Sequence, residues 1–216
     1  MGASDFASLP HIGESVLRKE DYRFLTGAGQ YTDDVVLAHQ AHAVFVRSPH
    51  AHAQIKSIDT AAARSAPGVL GVFVGDDVAH DKINGLPCGW LITSTDGQPM
   101  KEPPHPILAQ GKVRYVGDHV AMVVAETLDQ ARNAAELVEV SYDVLPAVVD
   151  VGTAQKAGAP SVHADAADNH CYKWAIGDKS QVDEAFKKAA HVTKLDLINN
   201  RLVPNPMEPR AAIGAF

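Results

Sequence analysis

The stretch VRYVGDHVAMVVAETLDQARNAAELVEVSYDV, Val113–Val144, decides the fold. Within it, His119–Ala125 (HVAMVVA) is a run of β-formers that reads as a strand, and Val113–Val116 reads as another, joined to it through Gly117-Asp118. Thr127-Leu128-Asp129 then opens a helix over Leu128–Leu137, with Ala131, Ala134, Ala135 and Val138 on one face. Val138–Val144 (VEVSYDV) alternates apolar and polar residues and returns to strand. Strand, helix and strand in this order predict an α/β or α+β sandwich.

Upstream, Ala41–Arg47 (AHAVFVR) fits a buried strand that Ser48-Pro49-His50 breaks, and Ala53–Ile58 reads as a second. Asp59-Thr60 caps a short helix over Ala61–Ser65, which Pro67-Gly68 ends before a strand at Val69–Val74. Gly75-Asp76-Asp77 opens a turn or short helix. Residues 81–106 form a loop rich in proline and glycine, and a loop of that length in a compact domain is functional or covers another surface. Residues 11–34 read as an irregular entry with a short extended piece around Gln30–Asp34, and residues 1–17 as an N-terminal arm.

Downstream, Leu145-Pro146 marks a boundary, and residues 150–170, rich in Ala, Gly and Asp, read as a linker. Gln181–Ala190 is helical, with Val182, Ala185, Phe186 and Ala189 on one face, and His191–Asn199 alternates as a strand. Asn205–Phe216 reads as a turn and then a strand still running at its last residue. Such a strand needs neighbours, so the chain is expected to belong to a larger assembly.

Composition narrows the function. The net charge of −7 and the lack of a basic cluster argue against a nucleic-acid partner. No apolar run approaches the roughly 20 residues of a membrane span, and Met1–Pro10 lacks the basic start and apolar core of a secretory signal. Two cysteines, Cys88 and Cys171, sit far apart without a C-x-x-C pair, which suits a reduced, cytoplasmic setting.

Few constellations suggest chemistry. His50-x-His52 follows a strand and could place two imidazoles on one side, but the local sequence positions no third ligand, and hydrogen bonding to backbone at the turn is the plainer role. The other histidines, His119 among them, show no helical metal-binding pairing. Gly27-Ala28-Gly29 lacks the third glycine and the helix of a dinucleotide fingerprint. Cys88 sits in a loop with no activating base in the sequence around it. Glu208 and Arg210 flank Pro209, placed to pair with each other or to face a neighbouring domain.

Several ordered motifs resemble one family. Gly13-Glu14-Ser15, Arg18-Lys19-Glu20-Asp21, Leu25-Thr26-Gly27 and Tyr31-Thr32-Asp33-Asp34 are similar to the opening of molybdenum-containing hydroxylase large subunits, the family of xanthine dehydrogenase, aldehyde oxidase and aerobic carbon monoxide dehydrogenase. Phe45–Ala53 (FVRSPHAHA), Val113–Thr127 (with His119 where proline is expected), Val138–Pro146 and Asn205–Arg210 also look like family segments. The resemblance implies an α+β fold, with an α/β-hammerhead domain over 18–148 and an incomplete beginning of a molybdopterin-binding domain over 149–216.

The resemblance further implies an enzyme that hydroxylates an aldehyde or N-heterocycle with oxygen from water. A molybdopterin-type molybdenum cofactor would sit in the complete large subunit, with [2Fe–2S] clusters and FAD on other domains or subunits. The family's cofactor loops and catalytic glutamate fall beyond the point matching Phe216, so no catalytic, cofactor or metal residue is assigned here. The chain is expected to be a scaffold and funnel wall, inactive alone and partnered by the rest of the large subunit and by iron–sulfur and flavin subunits. The alternatives from other classes are a stand-alone interaction or small-ligand-binding module and a small metal enzyme using His50 and His52.

Overall fold

A computed structural model of the protein describes residues 13, 15, 17–199, 202, 205–207 and 210–215. The chain divides into two compact units, Met1–Ala38 with Leu197–Phe216, and His39–Asp196. In the first, α1 (Asp21–Leu25) is a short helix whose end is closed by the Thr26 hydroxyl, which donates to the Tyr22 carbonyl at 2.8 Å. The extended piece expected around Gln30–Asp34 is instead a 3-10 turn at Thr32–Asp34. The Asp34 carboxylate accepts from the Tyr31 N–H at 2.9 Å and bends the chain.

The second unit carries β1 (His42–Arg47), β2 (Ala53–Asp59), α2 (Ala61–Arg64), β3 (Val69–Val74), α3 (Gly75–His80), β4 (Lys112–Val113), β5 (His119–Ala125), α4 (Leu128–Ala135), β6 (Glu139–Val144) and α5 (Lys179–Lys188). Among the described residues the strands form two three-stranded sheets, ordered β1-β5-β3 and β4-β2-β6. Every pairing is antiparallel. The architecture is the α+β class the sequence implies.

β5 is the central strand of its sheet, and its composition explains why. Val120, Ala121, Val123 and Ala125 are fully buried. α4 begins at a reciprocal cap, where Thr127 Oγ1 accepts from the Gln130 N–H at 3.2 Å and Gln130 Oε1 accepts from the Thr127 N–H at 3.0 Å. The fully buried Ala131 and Ala134 lie on the inner face of this helix. Ala134 packs with Ala63, Val72, Ala121, Val123 and Val138 in one core. Ala53, Ala109, Val113 and Val120 form a second core, and Ile58 and Val140 pack against both.

A β-bulge divides β5 between these cores. Its register with β1 slips so that Val46 faces Ala121 while Arg47 faces His119. Val120 is left without a partner across the strand, and the consecutive residues Val120 and Ala121 each enter a different core.

Several expectations are corrected. The strand expected at Val113–Val116 is only the two-residue β4, because the Asp118 carboxylate accepts from the Arg114 N–H at 3.0 Å and draws the chain out of the ladder. β4 and β5 also belong to different sheets. Residues 191–199 and 211–215 carry no strand: alternation at 191–199 or an apolar run at 211–215 marks a face, but a strand also needs a ladder partner. α5 starts two residues earlier than expected, where Asp178 caps it by accepting from the Gln181 N–H at 3.1 Å.

The segment read as a linker is seated instead. Asn169 Nδ2 donates to the Ala154 and Pro160 carbonyls, each at 2.8 Å, and its Oδ1 accepts from the Val162 N–H at 3.0 Å. Lys101 pairs with Asp168 at 3.0 Å, and the Lys101 N–H donates to the Cys171 carbonyl at 2.9 Å.

The backbone approaches closely at Gly75, where an added Cβ would run into the Ala109 carbonyl. Gly75→Ala is expected to cost about 1–3 kcal/mol through overpacking, read as a lower urea midpoint at unchanged slope. Gly89→Ala, whose methyl would meet nothing within 4 Å, should leave the midpoint in place.

Candidate functional site

The face of the β1-β5-β3 sheet away from α4 is only partly covered. Register sets Phe45 beside Met122 and Met122 beside Phe73, a row across all three strands. Phe45 is 40 % exposed and Phe73 41 %. The long loop crosses above this row and brings Ile83, Leu86 and Ile107 over it, enclosing a cleft of about 610 Å³. Leu86 donates its N–H to the His105 carbonyl at 2.9 Å, and Gly85 lies so close to that carbonyl that a Cβ would collide with it. The loop therefore holds its course by backbone contact. The volume and apolar lining suit a ligand cleft or the seat of an apolar segment.

At one end of the cleft stands the turn Arg114–His119. The Ser48 N–H donates to the Asp118 carbonyl and the Gly117 N–H to the Ser48 carbonyl, both at 2.8 Å. Arg47 Nη1 donates to the Gly117 carbonyl at 3.1 Å. Asp118 is 7 % exposed and lies beside the Tyr115 phenol. Burial, then the negative charge of Asp118, raises the Tyr115 phenol above its ordinary pKa. The His105 ring lies 3.4 Å from the Tyr115 hydroxyl through Nε2. A second cavity of about 320 Å³ adjoins on the far side of His105 and Tyr115, with Lys112, Arg114 and His163 in its lining.

His119 lies at the cleft with its ring centroid 4.6 Å from that of Phe45. Burial first, and then the positive charge of Arg47, hold its pKa below the ordinary 6.5, with His105 adding to the shift and Asp118 opposing it. The imidazole is therefore neutral near pH 7. Its Nε2 is buried without a hydrogen-bond partner.

The structure separates the residues singled out from sequence. His52, 5 % exposed, spends Nδ1 on the Pro146 carbonyl at 2.7 Å, the backbone role expected of it. His50 instead meets Tyr142 edge-on at 4.9 Å between ring centroids. Cys88 is exposed and donates its S–H to the Trp90 carbonyl. Gly27 closes α1, donating its N–H to the Phe24 carbonyl at 3.2 Å. Arg210 is exposed, and Glu208 lies outside the described residues. The residues that do converge, His105, Arg114, Tyr115, Asp118 and His163, were not picked out from sequence. Asp118, an acid between two apolar runs, was the legible signal among them.

The all-cysteine form of a [2Fe–2S] cluster needs four thiolates, and the chain has two cysteines. Among the described residues, no group of three or more His, Cys, Asp or Glu side chains is placed to hold a metal ion. Among the described residues these side chains do not assemble a protein-ligated iron–sulfur centre. Among the described residues, no helix is long and apolar enough to cross a membrane.

Residues 26–146 match the family described as aldehyde oxidase and xanthine dehydrogenase, a/b hammerhead domain. The chain is 38 % identical to the carbon monoxide dehydrogenase large chain of Afipia carboxidovorans, over 88 % of this chain and 24 % of the relative. It is 37 % identical to the nicotine 6-hydroxylase large subunit of Paenarthrobacter nicotinovorans, over 95 % of this chain and 24 % of that one. Among solved structures, the reconstituted CO dehydrogenase from Oligotropha carboxidovorans superposes with a TM-score of 0.67 at 35 % identity, covering 88 % of this chain and 24 % of that chain. Quinoline 2-oxidoreductase from Pseudomonas putida 86 does so at 0.56 and 44 %, covering 68 % and 18 %. The chain thus spans about a quarter of the length of these curated relatives.

The neutral, buried state of His119 has a consequence for stability. In the unfolded chain the imidazole takes up a proton below its ordinary 6.5, while in the folded chain it resists until lower pH. Stability is therefore full above the unfolded value and is lost as pH falls through it toward the folded value. His119→Phe keeps the ring on Phe45 and removes both the titration and the unpartnered nitrogen. Urea midpoints measured from about pH 7 to about pH 5 should fall less steeply in this variant, with no loss near neutral pH.

Proposed function

The chain belongs to the aldehyde oxidase and xanthine dehydrogenase family, and on that premise we propose that it is the N-terminal part, or a separately encoded subunit, of a molybdenum hydroxylase large subunit. It supplies a scaffold and one wall of the substrate funnel. The complete enzyme hydroxylates an aldehyde or N-heterocycle with oxygen derived from water. Residues 18–148 act as the α/β-hammerhead domain, and residues from 149 onward begin the molybdopterin-binding region, with Glu208 and Arg210 at an interdomain or funnel contact.

One observation carries the scaffold role. Relatives named for substrates as unlike as carbon monoxide and nicotine share this segment at similar identity, 38 % and 37 %. A segment retained across such different substrates is suited to architecture and passage more than to the choice of substrate. The molybdopterin-type cofactor then belongs to the remaining large-subunit domain or chain. The [2Fe–2S] clusters and FAD belong to iron–sulfur and flavin partners in the cytoplasm, and when bound these groups supply the redox chemistry.

Isolation of the native complex through a tag on this chain tests the proposal. Molybdenum, a pterin, iron and flavin should copurify with it, while the same chain expressed alone should carry none of them. Stoichiometric molybdenum on the isolated chain, or a native monomer with neither partners nor metal, would overturn the scaffold reading.

A further inference from the structure

The smaller cavity, beside Arg114, has chemistry that the scaffold role does not use. We propose that it is a binding site for a small aromatic carboxylate, the carboxylate held by Lys112 and Arg114 and the ring laid against Tyr115 and the Pro103–Pro104 wall.

Charge is the first argument. The chain carries a net −7, yet this cavity gathers Lys112 and Arg114 against a single acid, Asp118. That acid is committed elsewhere: its carboxylate accepts from the Arg114 N–H at 3.0 Å. Among the described residues neither cation forms an ion pair. Two neighbouring cations without a carboxylate partner complement an anion.

Geometry is the second. Arg114 Nε donates to the Val162 carbonyl at 3.3 Å and Nη1 to the Lys112 carbonyl at 3.4 Å. These bonds orient the guanidinium and use two of its five N–H donors. Those remaining can serve a carboxylate, whose planar pair of oxygens matches the guanidinium fork. The cavity, about 320 Å³, lies at the small end of the range for ligand sites, which is about 300–1,000 Å³. That selects a molecule of one ring over a nucleotide. Proline and tyrosine walls offer it a rigid apolar surface.

His163, in the same lining, adds a signature. Burial first, then Arg114, hold its pKa below the ordinary 6.5; His105 and His52 add to the shift and Asp165 opposes it. A bound carboxylate supplies the missing counter-charge and draws a proton onto the imidazole, so affinity rises as pH falls below 6.5. Binding is a property of this chain alone and does not rest on its place in a molybdenum enzyme.

The test is a titration of the 216-residue chain with benzoate, followed by amide shifts and calorimetry. Acetate, benzyl alcohol and inorganic phosphate are run in parallel. Benzoate should saturate with a Kd of about 1 mM or below, shifting Arg114, Tyr115 and His163. Acetate, which lacks the ring, and benzyl alcohol, which lacks the charge, should each bind at least about tenfold more weakly. Lys112→Gln and Arg114→Gln should each weaken benzoate by about tenfold or more. Lys112→Gln leaves the Arg114 backbone bonds untouched, so it answers even if Arg114→Gln disturbs the fold. Failure to saturate by about 10 mM, equal binding by Lys112→Gln, or tighter binding of phosphate than of benzoate would each overturn the proposal.

Discussion

The structure depends on how one strand meets two demands at once. β5 is hydrogen-bonded along both edges and must also feed two cores that lie on different sides of it. A regular strand offers only two faces, whereas β5 sends side chains to three places, the two cores and the cleft. The bulge at Val120 resolves this. It sends Val120 toward β2 and β4 and Ala121 toward α4, and it leaves His119 on the remaining face with Phe45. The cleft is a product of that same slip.

The turn before β5 is bound to the end of β1 by two reciprocal backbone hydrogen bonds through Ser48. Ser48 is 2 % exposed, and so is unable to turn to water for partners. Asp118 completes the accounting with its side chain, accepting from the Arg114 N–H that β4 leaves unpaired. Burial and then the charge of this carboxylate raise the Tyr115 phenol, and Lys112 and Arg114 line the smaller cavity beside it. The electrostatics of both cavities thus begin with a local backbone need.

Much of the second unit was legible because its signals are local. His119–Ala125 and Val69–Val74 are strands with the bounds their composition suggests, and Thr127 caps the helix that follows as its position implies. The failures share a cause. At Val113–Val116 the β-forming residues lose to a hydrogen bond from a side chain a few residues on. At His191–Asn199 the alternation is real, but a ladder depends on a neighbour that no local pattern encodes. The candidate site was hidden for a related reason: His163 is far along the chain from His105 and Arg114, and the three meet in one cavity lining only in the folded chain. The histidines that looked paired in the sequence, His50 and His52, go to separate structural tasks.

Asn169 shows how the tolerance of a position to evolutionary change can be narrower than its backbone suggests. Its φ of 56° lies in the left-handed region, which glycine, asparagine and aspartate all enter readily. Its side chain, however, gives both amide hydrogens to carbonyl oxygens and takes one N–H in return. Glycine would leave all three groups to find water, and aspartate, equal in shape, would set a carboxylate against two carbonyl oxygens. Conformation admits three residues here, and hydrogen-bond polarity admits one.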